Sequence, residues 1–271
     1  MNITTYYLQI AGFTLAIDLT NVTEADLRRQ LYQFISGYYS SQLIDMQSVG
    51  VSPRVDYTLY FVAEEQLKLI RSKETYRGIP EFFLRVFSIG KKHAYVDYHV
   101  GIAQFQFLIK TILQSLLARK RGFLLHASAV TDKKWAFLFL GPNGAGKSTI
   151  VQNLKKAFVP FSDDVLVIRR MRGRWVASQF PLEKNGIVYV KDTRPTIKAL
   201  CFIRKGNITK FTKLSAAESV RLLVKQVVIL KQENIDIANL LKFVSGVKKF
   251  YRLTCQKETN VGAIQKFFEA M

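Results

Sequence analysis

The stretch FLGPNGAGKSTIVQNLKKAFVPFSDD, Phe139 to Asp164, gathers most of the residues whose types and spacing could do chemistry. Gly141-x4-Gly146-Lys147-Ser148 follows a continuous apolar run and opens a segment of helical character. In that context the spacing predicts a phosphate-binding loop. Glycines let backbone N–H groups converge on β- and γ-phosphates, and the N-terminus of the helix adds partial positive charge. The lysine reaches the β/γ oxygens and the serine hydroxyl ligates Mg²⁺. Gly141, Asn143, Gly144, Ala145, Gly146, Lys147, Ser148 and Thr149 are therefore the expected nucleotide contacts, with Thr149 capping or packing.

Sixteen residues after Lys147 comes an acidic pair, Asp163-Asp164. It follows a short extended segment, FVPF, and precedes the apolar VLVI. Neighbouring residues of an extended chain point to opposite sides. One carboxylate can then serve the metal while the other takes the proton of an attacking hydroxyl. The plainer alternative is a turn at Ser162-Asp163 with a solvated neighbour. His126 lies in LLHASAV, on an expected strand GFLLHASAVT. A turn at Asp132-Lys133-Lys134 would pair that strand as a hairpin with WAFLFLG, the strand that feeds the loop, and bring His126 to the γ-phosphate. A lone strand histidine is also commonly structural, which is the reading for His93 and His99.

The elements that must position these groups alternate in type. The first hundred residues read mostly as strands, with a hairpin turn at Ala11-Gly12 and one helix beginning at Thr23 in TEADLRRQLYQFI. An amphipathic helix is expected near 102–118. After the loop helix, DVLVIRR and RWVASQF read as a hairpin around Met171-Arg172-Gly173-Arg174, and GIVYVKD, IKALCFIRKG and KFYRLT add strands. Helical segments are expected near 215–230, 236–246 and 259–270. The division falls near residue 120: a β-rich region with helices over 1–119, and a nucleotide-binding α/β domain over 120–271.

GPNGAGKST followed by LSAAESVRL also invites a transporter-ATPase reading. Three features oppose it. VVILKQEN offers Lys231 and Gln232 where an acidic residue should close the apolar run, no histidine follows His126, and Ala216 and Ala217 replace the signature glycines.

LLHASAV, FLFLGPNGAGKST, FSDDVLVI and FPLEK, in that order, resemble the HPr serine kinase-like family, and within it the peptide-tailoring kinases related to HPr kinase. The resemblance covers roughly residues 120–260. It implies a P-loop nucleotide-binding α/β core of HPr kinase/PEP carboxykinase type with ATP and Mg²⁺. By this resemblance, Asp163 deprotonates the acceptor hydroxyl, Asp164 helps Ser148 hold Mg²⁺, and His126 lies near the transferred phosphate. Lys184 matches a basic residue facing phosphate or substrate, against the alternative of an exposed lysine. Glu183-Lys184-Asn185-Gly186 departs from the family's E-x-R-G signature, which counts against HPr as the acceptor and against the reverse reaction. The expected activity is ATP-dependent phosphorylation of a hydroxyl, a serine first among them, on a peptide, protein or small molecule. A nucleotide-binding regulator and a nucleic-acid-associated NTPase remain the rival classes. Enzymes of this fold often assemble, so a homo-oligomer stays open.

Composition frames these readings. The chain has 271 residues, 49% hydrophobic, with a formal net charge of +20. Residues 1–118 carry 11 Lys+Arg against 10 Asp+Glu; residues 119–271 carry 29 against 10. Such a field suits ATP and an acidic partner, a nucleic acid or a membrane surface, or else is only a solvated face. No nucleic-acid module accompanies it, which disfavours that partner without excluding it. Two cysteines, Cys201 and Cys255, lack metal or disulfide spacing. With no signal-like N-terminus and no span-length apolar run, a cytoplasmic location is expected.

Overall fold

The computed structural model describes residues 4–44, 53–71, 86–180, 193–229, 237–255 and 261–271. These fall into two compact units, one within Met1–Leu116 together with Ile229, the other within Leu117–Val228 and Asn234–Met271. Each carries its own sheet, so the chain is mixed α/β. Among the described residues no helix is long and apolar enough to cross a membrane.

The first unit contains β1 (Thr5–Ile10), β2 (Phe13–Asp18), α1 (Ala25–Tyr39), β3 (Tyr57–Val62), α2 (Glu64–Arg71), β4 (Phe87–Ile89), β5 (His93–Asp97) and most of α3 (Ile102–Arg119). Its sheet runs β1-β2-β3-β5-β4. Ala11 and Gly12 both take positive φ, 52° and 78°. That conformation matches the twist of a two-residue hairpin. α1 begins at Ala25 with Glu24 as its N-cap and no side-chain cap bond, so Thr23 lies outside the helix. Leu31, Ile35 and Tyr39 form its buried stripe, and Phe105 of α3 meets Phe34 and Tyr39 edge to face at 5.8 and 5.6 Å.

The second unit contains β6 (Gly122–His126), β7 (Ser128–Thr131), β8 (Trp135–Leu140), α4 (Lys147–Leu154), β9 (Val159–Ser162), β10 (Val165–Met171), β11 (Arg174–Gln179), β12 (Thr196–Lys205), β13 (Lys210–Lys213), α5 (Ala216–Val224), α6 (Ile237–Val247), β14 (Phe250–Cys255) and α7 (Val261–Glu269). The expected strand GIVYVKD lies outside the described residues. The sheet path is β6-β10-β11-β12-β8-β7-β9, with β14 beside β12 and β13 beside β14. β12 is parallel to both β8 and β14; the other pairs are antiparallel.

The strand expected over GFLLHASAVT is interrupted at Ala127. Its second half, β7, pairs with β8 as expected, but its first half, β6, pairs with β10. The register carries across the break, with His126 opposite Val165 and Ala129 opposite Ser162, and shifts by one residue beyond it, where Val130 opposes Pro160. The amide of Ala127 donates to the carbonyl of Asp164 at 3.1 Å. β6–β7 and β9–β10 therefore form one long two-stranded ribbon, and the path through β11, β12 and β8 begins and ends on it.

β8 is apolar on both faces because both are covered. Ala136, Leu138 and Leu140 join a cluster with Leu223 of α5 and Leu240 and Phe243 of α6. Phe137 and Phe139 join another with Ile150, Val151 and Leu154 of α4 and Ile264 and Phe268 of α7. The LSAAESVRL stretch is a helix start: Ser215 and Glu218 form a reciprocal capping box at α5.

Candidate functional site

The C-terminal end of β8 delivers the chain into Gly141. Gly144 and Gly146 take φ of 73° and 99°, and a Cβ at either would meet nothing within 4 Å. Their demand is conformational, since a left-handed backbone disfavours any residue with a Cβ. Gly146 caps α4, so the helix starts directly at Lys147. The Lys147 side chain folds back over the loop, its ammonium donating to the carbonyls of Gly141 at 2.8 Å and Pro142 at 3.2 Å. Lys147 is 8% exposed, while Ser148 and Thr149 are exposed. Exposure leaves Ser148 open to a ligand and contradicts a packing role for Thr149.

Asp163 and Asp164 sit at the junction of β9 and β10, in the middle of the ribbon. Asp163 is buried and Asp164 half-buried, in a bend between the two strands and not on the continuous extended run expected from sequence. Burial holds the Lys147 ammonium below the ordinary lysine range, and the carboxylates of Asp163 and then Asp164 pull it part of the way back. The loop lysine thus lies within the field of both acids, although sixteen residues of chain separate it from Asp163. Ser128, fully buried, donates from Oγ to Asp163 Oδ1 at 2.7 Å. This bond fixes one carboxylate oxygen.

Ser128 is the residue that sequence reasoning missed. No signal in the sequence marks it, because its place beside the acids follows from the pairing of β7 with β9. His126 closes β6, and its amide donates to the Gln226 carbonyl at 2.8 Å. Val228 donates in turn to Leu124 at 3.0 Å, so the segment after α5 pairs along the outer edge of β6. His126 is not on the strand beside β8. It nevertheless shares a cavity of about 590 Å³ with Gly141, Pro142 and Asn143 of the loop, and with Phe202, Leu222 and Lys225. Gly141, Asn143, Gly144, Ala145, Gly146, Lys147, Asp163, Asp164 and His126 all belong to the second unit. Lys184 and the rest of Glu183–Gly186 lie outside the described residues.

Among the described residues no group of three or more His, Cys, Asp and Glu is arranged to hold a metal. A divalent ion here would draw on one carboxylate and one hydroxyl and take its other ligands from phosphate oxygens and water. That donor set fits Mg²⁺, which is seldom caged by protein alone.

A family model described as SynChlorMet cassette protein ScmC matches residues 92–243, which include the loop, His126 and the acid pair. No curated protein matches the chain. Among solved structures, the Hpr(Ser) kinase/phosphatase from Coxiella burnetii is similar at 11% identity, over 54% of this chain and 94% of that one, with a TM-score of 0.30. A likeness of that size decides nothing about this chain.

Proposed function

The chain belongs to the SynChlorMet cassette protein ScmC family, and we propose that it is an ATP-dependent kinase acting on a hydroxyl group. The reading rests on one arrangement: Lys147, on a glycine-rich loop, is buried with its ammonium on the Gly141 and Pro142 carbonyls, and the carboxylates of Asp163 and Asp164 act on it. Lysine, backbone amides and a helix start supply charge for a triphosphate. A pair of carboxylates has no use against bare phosphate, but it suits a metal and a proton acceptor.

In this mechanism ATP lies on Gly141–Thr149, with Asn143 and Ala145 contributing backbone amides. Lys147 leaves the Gly141 and Pro142 carbonyls for the β/γ oxygens. Ser148 and Asp164 would hold Mg²⁺, which when bound would supply charge neutralisation on those oxygens. Asp163, steadied by Ser128, accepts the proton as the acceptor oxygen attacks the γ-phosphorus. The bond from that phosphorus to the bridging oxygen breaks, and ADP leaves with its electron pair. His126 faces the transferring group from the cavity beside the loop. Serine of a peptide or protein is the first acceptor to try.

The test is transfer of label from γ-phosphate-labelled ATP to serine-containing peptides by the full chain with Mg²⁺. Asp163→Asn should retain ATP binding and lose at least about 100-fold in transfer. Lys147→Ala should weaken ATP binding itself. Transfer by Asp163→Asn at the parental rate would refute the assignment. ATP binding without any transfer would favour a nucleotide-dependent regulator.

A further inference from the structure

The cavity beside the phosphate loop holds a cation to which the mechanism above gives no task. β8 and β12 run parallel, and Phe202 opposes Leu140, the residue before Gly141. The cavity thus lies at the C-terminal ends of two parallel strands, the end at which open α/β sheets take their ligands. Phe202 and Ile203 line it from β12, His126 from β6, and Leu222, Lys225 and Gln226 from the end of α5. Backbone bonds fix that last group. Lys225 caps the C-terminus of α5, with its amide donating to the Leu223 carbonyl. The next residue, Gln226, accepts from the His126 amide at 2.8 Å, and Val227 forms a bridge with Leu125. Lys225 therefore stands beside His126 although about a hundred residues separate them in sequence.

Charge decides what this cavity takes. None of its lining residues is acidic, and its polar side chains are Asn143, His126, Gln226 and Lys225. The last turn of a helix carries partial negative charge, which by itself disfavours a phosphate. A lysine at the cap reverses that sign. Among the described residues no ion pair or hydrogen bond engages the Lys225 ammonium, and the residue is exposed. Lys147 differs: it is buried, on the Gly141 and Pro142 carbonyls, and approaches phosphate from within the loop. The charge of a transferring phosphoryl group is spread over three equatorial oxygens. A lysine within the loop cannot surround them, and a second cation from α5 reaches the side on which His126 stands. Lysine suits that place as a compact point charge on a flexible stem.

We propose that Lys225 is a further catalytic residue, whose ammonium binds the γ-phosphate of ATP from the α5 side of the cavity and stabilises its charge during transfer. The assignment rests on the kinase reading, because it takes ATP to lie on Gly141–Thr149. Its test needs no acceptor. The full chain with Mg²⁺ is titrated calorimetrically with β,γ-imido-ATP, which is not turned over, and with ADP, and the ratio of the two affinities is read. Lys225→Met should bind the triphosphate at least about tenfold more weakly and ADP within about twofold of the parent. Lys225→Arg keeps the charge and should keep the ratio within about threefold of the parent's. Lys225 is exposed, so both variants should fold. An unchanged ratio in Lys225→Met would overturn the role of Lys225 and leave the kinase reading standing. Equal loss for both nucleotides would put the ammonium on a part they share, and would overturn it too. A parent chain that binds neither nucleotide would remove the phosphate loop's role, and that of Lys225 with it.

Discussion

The middle and the end of one β-ribbon treat charge in opposite ways. At its middle, Asp163 is buried, bonded to the fully buried Ser128, and felt by a lysine that burial has pushed below its ordinary range. Where β10 leaves it, Arg170, Arg172 in the following turn and Arg174 on β11 are exposed. In the interior a charge interacts strongly and must be matched, because dehydration leaves no solvent to compensate it. At the surface the same charge is screened within roughly 10 Å by salt and matters little to folding. The middle is thus fit for directional chemistry on a few atoms, and the end for loose, salt-dependent attraction.

The comparison breaks first if the middle tolerates loss of its partners. Ser128→Ala removes a hydrogen bond from a buried carboxylate, and about 1–3 kcal/mol of stability should go with it. Phosphoryl transfer should fall about tenfold while ATP affinity holds. Thermal melts and initial rates on one preparation check both, and an unchanged melt would mean the bond does not organise the site.

A smaller effect should appear in alkali. Burial holds the folded-state pKa of Lys147 below its unfolded value, so between the two the unfolded chain binds more protons and stability rises with pH. Below that window the burial penalty is present in full. The stability difference between the parent and Lys147→Met should therefore move in the parent's favour as pH climbs toward the ordinary lysine value of 10.5. Denaturant melts at neutral and alkaline pH measure it, and a difference independent of pH would contradict the burial of this ammonium. The smallest effect belongs to the hairpin. Arg172→Gln should leave stability within about 0.5 kcal/mol of the parent, and a larger change would mean the tip is part of the packed structure.

Local features were legible from sequence, and non-local ones were not. The loop's glycines, Lys147 and Ser148 act within one short segment, so their spacing carries their geometry. The turns at Ala11-Gly12 and Arg172-Gly173 are local in the same sense. His126 shows the limit. Sequence places it on the strand beside β8, yet the chain breaks at Ala127 and β6 joins β10. Nothing in LLHASAV marks that break, because it is fixed by which strand lies opposite. For the same reason the partnership of Ser128 with Asp163, and the meeting of Arg121 with Arg170, appear only once the register is known.

The ribbon's closure has a consequence for error. A one-residue slip between ordinary neighbouring strands turns inward side chains outward, and in an open sheet it can be absorbed at the free edge. Here the same two strands start and finish the circuit through β11, β12 and β8. Displacing Asp163 from Ser128 would disturb the pairing on both sides of the acids, and among the described residues the circuit takes up a one-residue offset only at Ala129/Val130 and Ile197/Ala199. The Asp163 carboxylate is thereby indexed by the strands that flank it, and a chain that loses the ribbon should lose the bond from Ser128 with it.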